Sequence, residues 1–96
     1  MNHSEQAERL FEAILKIKDV QECKAFFEDL CTIRELQDIS QRLEVASMLL
    51  DGKNYQTVSG VTGASTATIC RVSKCLNYGA GGYKTILGRM PKNGEG

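Results

Sequence analysis

The stretch Asn54–Leu76, NYQTVSGVTGASTATICRVSKCL, decides the fold. It reads as two short helices broken at Gly63, the second loaded with Ser, Thr, Ala and Arg instead of large apolar residues. Asn54 is placed to cap the first helix and Ser65 the second, because a short oxygen-bearing side chain can accept an otherwise orphaned N–H of the first turn. Gly63 tolerates the positive φ that a tight turn between them demands. In the first helix Val58 is the only large apolar anchor before Val61. In the second, helical spacing turns Ala64, Ile69, Val72 and Leu76 inward and Ser65, Thr66, Ala67, Cys70, Arg71 and Lys74 outward. A supporting helix, a Gly-containing turn and a helix with a short-chained outer face are the layout of a helix-turn-helix.

Toward the N-terminus the pattern stays helical. Ser4 can cap a first helix carrying the stripe Leu10, Phe11, Ile14 and Leu15. Asp19 with Glu22, and Thr32 with Glu35, have the spacing of capping boxes and open a second and a third helix. The second carries Val20, Cys23, Phe26, Phe27 and Leu30. The third is the longest, with Ile33, Leu36, Ile39, Leu43, Ala46, Leu49 and Leu50 in period until Gly52 stops it. Toward the C-terminus, Asn77–Gly82 is a Gly-rich break, and Tyr83–Met90 is a short last helix carrying Ile86 and Leu87. The expectation is an all-α chain of six helices: one domain over residues 1–90 and a disordered tail over 91–96.

Ninety-six residues, 42% apolar and 25% charged, suit a globular domain near the lower size limit for a self-sufficient core. Three amphipathic helices present more apolar surface than one such chain covers easily, which calls for a second subunit. No apolar run reaches the roughly 18 residues of a membrane span, and Met1–Ser4 does not open a signal peptide, so a cytoplasmic protein is expected. Cys23, Cys31, Cys70 and Cys75 form no CxxC pair, and His3 is the lone histidine. Free thiols are therefore expected, with no metal site and no cofactor.

A net charge of zero hides an asymmetry. From Met1 to Gly52 six basic residues face eleven acidic ones, a net of −5; from Lys53 onward six basic residues face Glu95 alone, a net of +5. Charge segregated in this way favours a polyanion at the basic end. The outward face of the fifth helix suits double-stranded DNA in particular. Short side chains let its backbone approach the groove floor, and the methyls of Thr66 and Ala67 match a thymine methyl. Arg71 can reach a guanine edge or a phosphate, and Lys74 the phosphate backbone. The N-terminal amides of that helix, around Ser65 and Thr68, together with Lys53, Tyr55, Gln56 and Thr57, can bind phosphate oxygens.

FFEDLCTIRELQDISQRLEVASMLLDGKNY, followed by GASTATICRVSKCLNYGAGGYKTIL, resembles the Trp repressor superfamily, and within it the YerC/YecD group of Trp-repressor-like proteins. The likeness spans roughly Leu10 to Leu87. It is most specific at Leu49-Leu50-x-Gly52, at Gly63-Ala64-x-x-Ala67-Thr68-Ile69-x-Arg71, and at Asn77-Tyr78-Gly79 with Gly82-Tyr83. The resemblance implies an intertwined homodimer in which helices one, two, three and six interlock and helices four and five project as reading heads. It also implies a transcriptional regulator, a repressor, with sequence specificity.

The resemblance bears on a small-molecule effector too. In the tryptophan-binding relatives a Thr and an Arg from the third helix and an Arg from the fifth bracket the ligand; the matching positions are Thr32, Arg42 and Arg71. The Gly and Ser that make room for the indole and hold its amino group are replaced by Val72 and Cys75. The segment from Gly52 to Gly63 is one residue shorter than in those relatives, and Thr62 stands in place of a leucine. A vestigial pocket that no longer takes tryptophan is the expectation, with the identity of any other effector left open.

Two other functions fit less of the sequence. GAGGYKT at Gly79–Thr85 resembles a phosphate loop only superficially, since Tyr83 stands where Gly must precede Lys-Thr and no strand leads into it. No enzymatic activity is expected. A protein-interaction adaptor using the acidic helices is the remaining alternative, and it rests on the charge split alone.

Overall fold

The computed structural model describes residues 2–91. Among them lie six helices and no strand: α1 (Glu5–Ile14), α2 (Val20–Leu30), α3 (Ile33–Leu50), α4 (Tyr55–Thr62), α5 (Thr66–Tyr78) and α6 (Gly82–Leu87). Of the expected tail, all but Pro91 falls outside the described residues. The chain divides into two compact units, one ending at Leu36 and the other beginning at Gln37.

In the first unit the helices start where the capping residues stand. The Ser4 hydroxyl accepts the Ala7 N–H at 3.1 Å, and Asp19 Oδ1 accepts the Glu22 N–H at 2.8 Å. Glu22 reaches back to the Lys18 N–H, one residue earlier than a reciprocal box requires. Thr32 and Glu35 close the full box: Thr32 Oγ1 accepts the Glu35 N–H at 3.1 Å, and the Glu35 carboxylate accepts the Thr32 N–H at 2.8 Å. That backbone bond first, and the bond with the Thr32 side chain second, hold the Glu35 carboxyl below its usual range. No described residue of this unit is fully buried. Phe26 and Phe27 stand edge to face, as do His3 and Phe11, while Leu15 is 83% exposed and Ile33 79%.

The second unit has a closed core. Val45, Ala46 and Met48 of α3 meet Val58 of α4, Ala64 of the turn, and Ile69 and Val72 of α5, with Leu49, Leu76, Tyr83 and Leu87 packed around them. The α3 stripe read from the sequence is thus split. Ala46 and Leu49 face this core, Val45 and Met48 join them, and Ile39, Leu43 and Leu50 are exposed. At 100° per residue, Ile39, Leu43 and Leu50 fall near one line of α3 that also carries the fully buried Ala46, while Val45 and Met48 lie well round the helix from it.

The helix ends have local causes. At the end of α3 the Lys53 N–H bonds the Met48 carbonyl and the Gly52 N–H bonds the Leu49 carbonyl, with Gly52 at φ 83°, the crossed pair of a Schellman motif. The fifth helix runs to Tyr78, two residues into the expected break, and stops at Gly79, where a Cβ would strike the Cys75 carbonyl. The last helix is shorter than Tyr83–Met90 because Arg89 and Met90 bond three residues back instead of four, tightening the chain into a turn ahead of Pro91.

Candidate nucleic-acid interface

Asn54 Oδ1 accepts the Thr57 N–H at 2.8 Å and starts α4; the Ser65 hydroxyl accepts the Thr68 N–H at 3.1 Å and starts α5. Between them Gly63 adopts φ 74° and donates its N–H to the Ser59 carbonyl, ending α4 in a left-handed cap. Three side chains outside the sequence expectation finish this turn. The Thr62 hydroxyl donates to the Val58 carbonyl at 2.7 Å and accepts the Ala64 N–H at 3.1 Å. Ser59 donates to the Ala64 carbonyl at 3.0 Å. Gln41, half-buried on α3, donates its amide to the Thr62 carbonyl at 3.1 Å. The usable signal was the Ser-x-x-Thr-Gly pattern at the end of α4, where hydroxyls compete well for backbone groups.

The inward set of α5 is buried as its spacing requires: Ala64, Ile69 and Val72 at 2% exposure or less, with Leu76 half-buried. The outward set, Ser65, Thr66, Ala67, Cys70, Arg71 and Lys74, is exposed throughout. Thr68 is half-buried and is engaged by Ser65 through both its N–H and its hydroxyl. Lys53, Tyr55, Gln56 and Thr57 are exposed around the start of α4. Between Lys53 and Pro91 the sequence holds Lys53, Arg71, Lys74, Lys84 and Arg89 and not one carboxylate side chain. The charge on this face therefore meets no opposing side chain from its own segment.

The chain belongs to the Trp repressor family. The family model described as Trp repressor protein matches residues 5–91. Uncharacterized protein YerC of Bacillus subtilis (strain 168) is 53% identical over 85 residues, covering 88% of this chain and 82% of YerC. The crystal structure of a Staphylococcus aureus protein superposes with a TM-score of 0.89 at 45% identity, over 95% of this chain and 91% of that one. A TrpR like protein from Eubacterium eligens ATCC 27750 superposes with a TM-score of 0.85 at 49% identity, over 93% and 95% of the two chains. The family is of a regulatory, DNA-binding type.

The positions that the resemblance matches to tryptophan contacts fall in both units. Thr32 lies in the first unit, its hydroxyl and N–H engaged by Glu35. In the second unit Arg42 is half-buried on α3, Arg71 is exposed on α5, and Val72 is 1% exposed in the core. Cys75 is exposed and borders a concavity of about 460 Å³ with Leu43, Gly79–Gly82, Tyr83 and Ile86. A second concavity, of about 310 Å³, lies between α3 and α6 around Glu44, Leu50, Lys84 and Leu87. Neither is lined by Arg42, Arg71 or Val72. The four thiols are free, Cys23 and Cys31 half-buried, Cys70 and Cys75 exposed. Among the described residues no cluster of His, Cys, Asp and Glu could hold a metal ion, and no helix is long and apolar enough to cross a membrane.

Proposed function

We propose that this protein is a cytoplasmic, sequence-specific double-stranded DNA-binding transcriptional regulator, acting as a repressor and as a homodimer. Its reading unit is one helix-turn-helix domain, residues 1–90, with no catalytic role. The observation that carries the reading is the exposed, short-chained face of α5, with Arg71 and Lys74 set on it and no carboxylate in the surrounding segment. Thr66 and Ala67 approach thymine methyls; Arg71 bonds a guanine edge or a phosphate; Lys53, Tyr55, Gln56, Thr57, Ser65, Thr68, Cys70 and Lys74 line the phosphate path.

The dimer is supported by apolar surface the chain leaves open. Ile39, Leu43 and Leu50 on α3, Tyr78 at 84% exposure and Ile86 at 51% are residues a second subunit would cover. In helix-turn-helix dimers, Trp repressor itself among them, half-sites lie one helical turn apart, about 34–36 Å, and the same spacing is expected here. Tryptophan is not the effector. Val72 fills core space, and seating an indole against it costs at least the roughly 1–3 kcal/mol of overpacking.

Binding to random duplex DNA, followed against salt, tests the reading. A log–log slope of about −0.9 per phosphate neutralised is expected, whereas an adaptor that uses only its acidic helices gives none. Arg71→Ala lowers affinity by about 1–3 kcal/mol and relaxes selectivity at one base pair if Arg71 bonds a base, and weakens all sequences evenly if it holds phosphate. Unchanged affinity removes Arg71 from the interface.

A further inference from the structure

Helix α4 has one buried residue, Val58. Apolar burial at a single point is non-directional, so by itself it leaves a helix of eight residues free to pivot. A second point is supplied at its far end by Gln41. Its amide donates to the Thr62 carbonyl at 3.1 Å, one of the last carbonyls of α4 and so without a partner inside the helix. Thr62 lies one turn beyond Val58, a lever of about 6 Å at 1.5 Å per residue. The restraint also passes on to α5. Thr62 Oγ1 ties the Val58 carbonyl to the Ala64 N–H, and Ser59 ties its own turn to the Ala64 carbonyl, directly before the Ser65 cap.

We propose that Gln41 is a positioning residue for the reading head: from α3, and without touching DNA, it sets the angle at which α4 and α5 are presented. The inference rests on the DNA-binding reading above. It accounts for a half-buried glutamine on α3 aimed at the turn between the two helices, and it predicts an effect of a particular kind. Base readout depends on the angle of α5 to within one hydrogen-bond length; phosphate attraction does not. Removing the Gln41 donor therefore degrades discrimination between sequences and spares charge-driven binding.

The test compares the wild-type chain with Gln41→Met, which keeps the volume and removes the donor, and with Gln41→Glu, which sets an acceptor against the carbonyl. Each is measured on the duplex enriched by selection from a random pool and on unselected random duplex, across salt. The expected result is a fall of at least tenfold in the ratio of the two affinities, about 1.4 kcal/mol, with the salt slope on random duplex unchanged. Gln41→Asn, too short to reach in the same pose, behaves like Gln41→Met, whereas a loss of folding would lower binding to both duplexes together. If Gln41→Glu fails to fold, Gln41→Met alone decides. An unchanged ratio in a folded Gln41→Met variant overturns the inference and leaves the DNA-binding reading intact. Wild-type protein that enriches no duplex and shows no salt-dependent binding overturns that reading, and this inference with it.

Discussion

Val72 is where the two meanings of α5 meet, because a side chain there either fills the core or walls off a ligand. The structure gives it 1% exposure beside Val45, Val58 and Ile69, all equally closed. Val72→Ala removes two methyl groups from that contact, and at roughly 0.5–1.5 kcal/mol for each buried methyl a loss of about 1–3 kcal/mol follows. Val72→Gly removes one more carbon and places glycine inside a helix, which costs a further ~1 kcal/mol in backbone entropy and ~0.8 kcal/mol in transfer. The graded series, a few kcal/mol at its end, is a sizeable share of the 5–15 kcal/mol that ordinarily holds a domain together.

Urea unfolding at one fixed protein concentration measures it, since any self-association makes apparent stability move with concentration. The midpoint should fall in the order wild type, Val72→Ala, Val72→Gly, with the slope of the transition unchanged. Calorimetry on the wild-type protein should find no saturable binding of L-tryptophan below about 1 mM, a free energy of about −4.1 kcal/mol. A Val72→Gly variant as stable as wild type would refute the assignment of Val72 to the core. Saturable tryptophan binding below that limit would refute the conclusion drawn from it.

Three further perturbations test the turn, the first unit's cap and the end of α5. Gly63→Ala meets nothing within 4 Å but must hold φ 74°, so the left-handed penalty of roughly 1–2 kcal/mol is only partly offset by the 0.4–1 kcal/mol gained from a stiffer unfolded chain; thermal unfolding should register a net destabilisation. Glu35 has a lowered pKa from its bonds with Thr32, so its contribution is present above the ordinary glutamate range and is lost as pH falls through the depressed folded value. An NMR titration should find the Thr32 amide shift following Glu35 with a midpoint below that of a free glutamate, and a midpoint at or above it would remove the cap from the account. Gly79→Ala places a Cβ against the Cys75 backbone carbonyl, which cannot swing aside like a side chain; a loss of about 1–3 kcal/mol by chemical unfolding is expected.

The helix starts and the two faces of α5 were legible in the sequence because each depends on residues within one or two turns. Ser4, Asp19, Thr32, Asn54 and Ser65 all stand at caps, and Ile69 and Val72 are buried while Arg71 and Lys74 are not. The inward face of α3 was not legible in the same way. Its apolar residues cover more than one stripe, and periodicity alone does not say whether Ile39, Leu43 and Leu50 or Val45 and Met48 face the chain's own core. The ends of α5 and α6 depend on a backbone clash at Gly79 and on a tightened last turn, neither of which a composition of Gly and Asn fixes to the residue.

The bond from Gln41 to Thr62 joins residues 21 positions apart, and nothing local to either residue announces it. Its physical setting nonetheless explains why a polar turn is tolerated between α4 and α5. A buried hydroxyl or carbonyl costs stability only when left unpaired, and among the described residues no buried side-chain oxygen or nitrogen lacks a partner. Thr62, which the sequence resemblance sets against a leucine of tryptophan-binding proteins, is bonded through both its hydroxyl proton and its oxygen. A leucine fixes such a turn by filling space; a threonine bonded at both lone-pair and proton fixes it by direction. A turn held by direction keeps its angle through the chain's own groups, Ser59, Thr62 and Gln41.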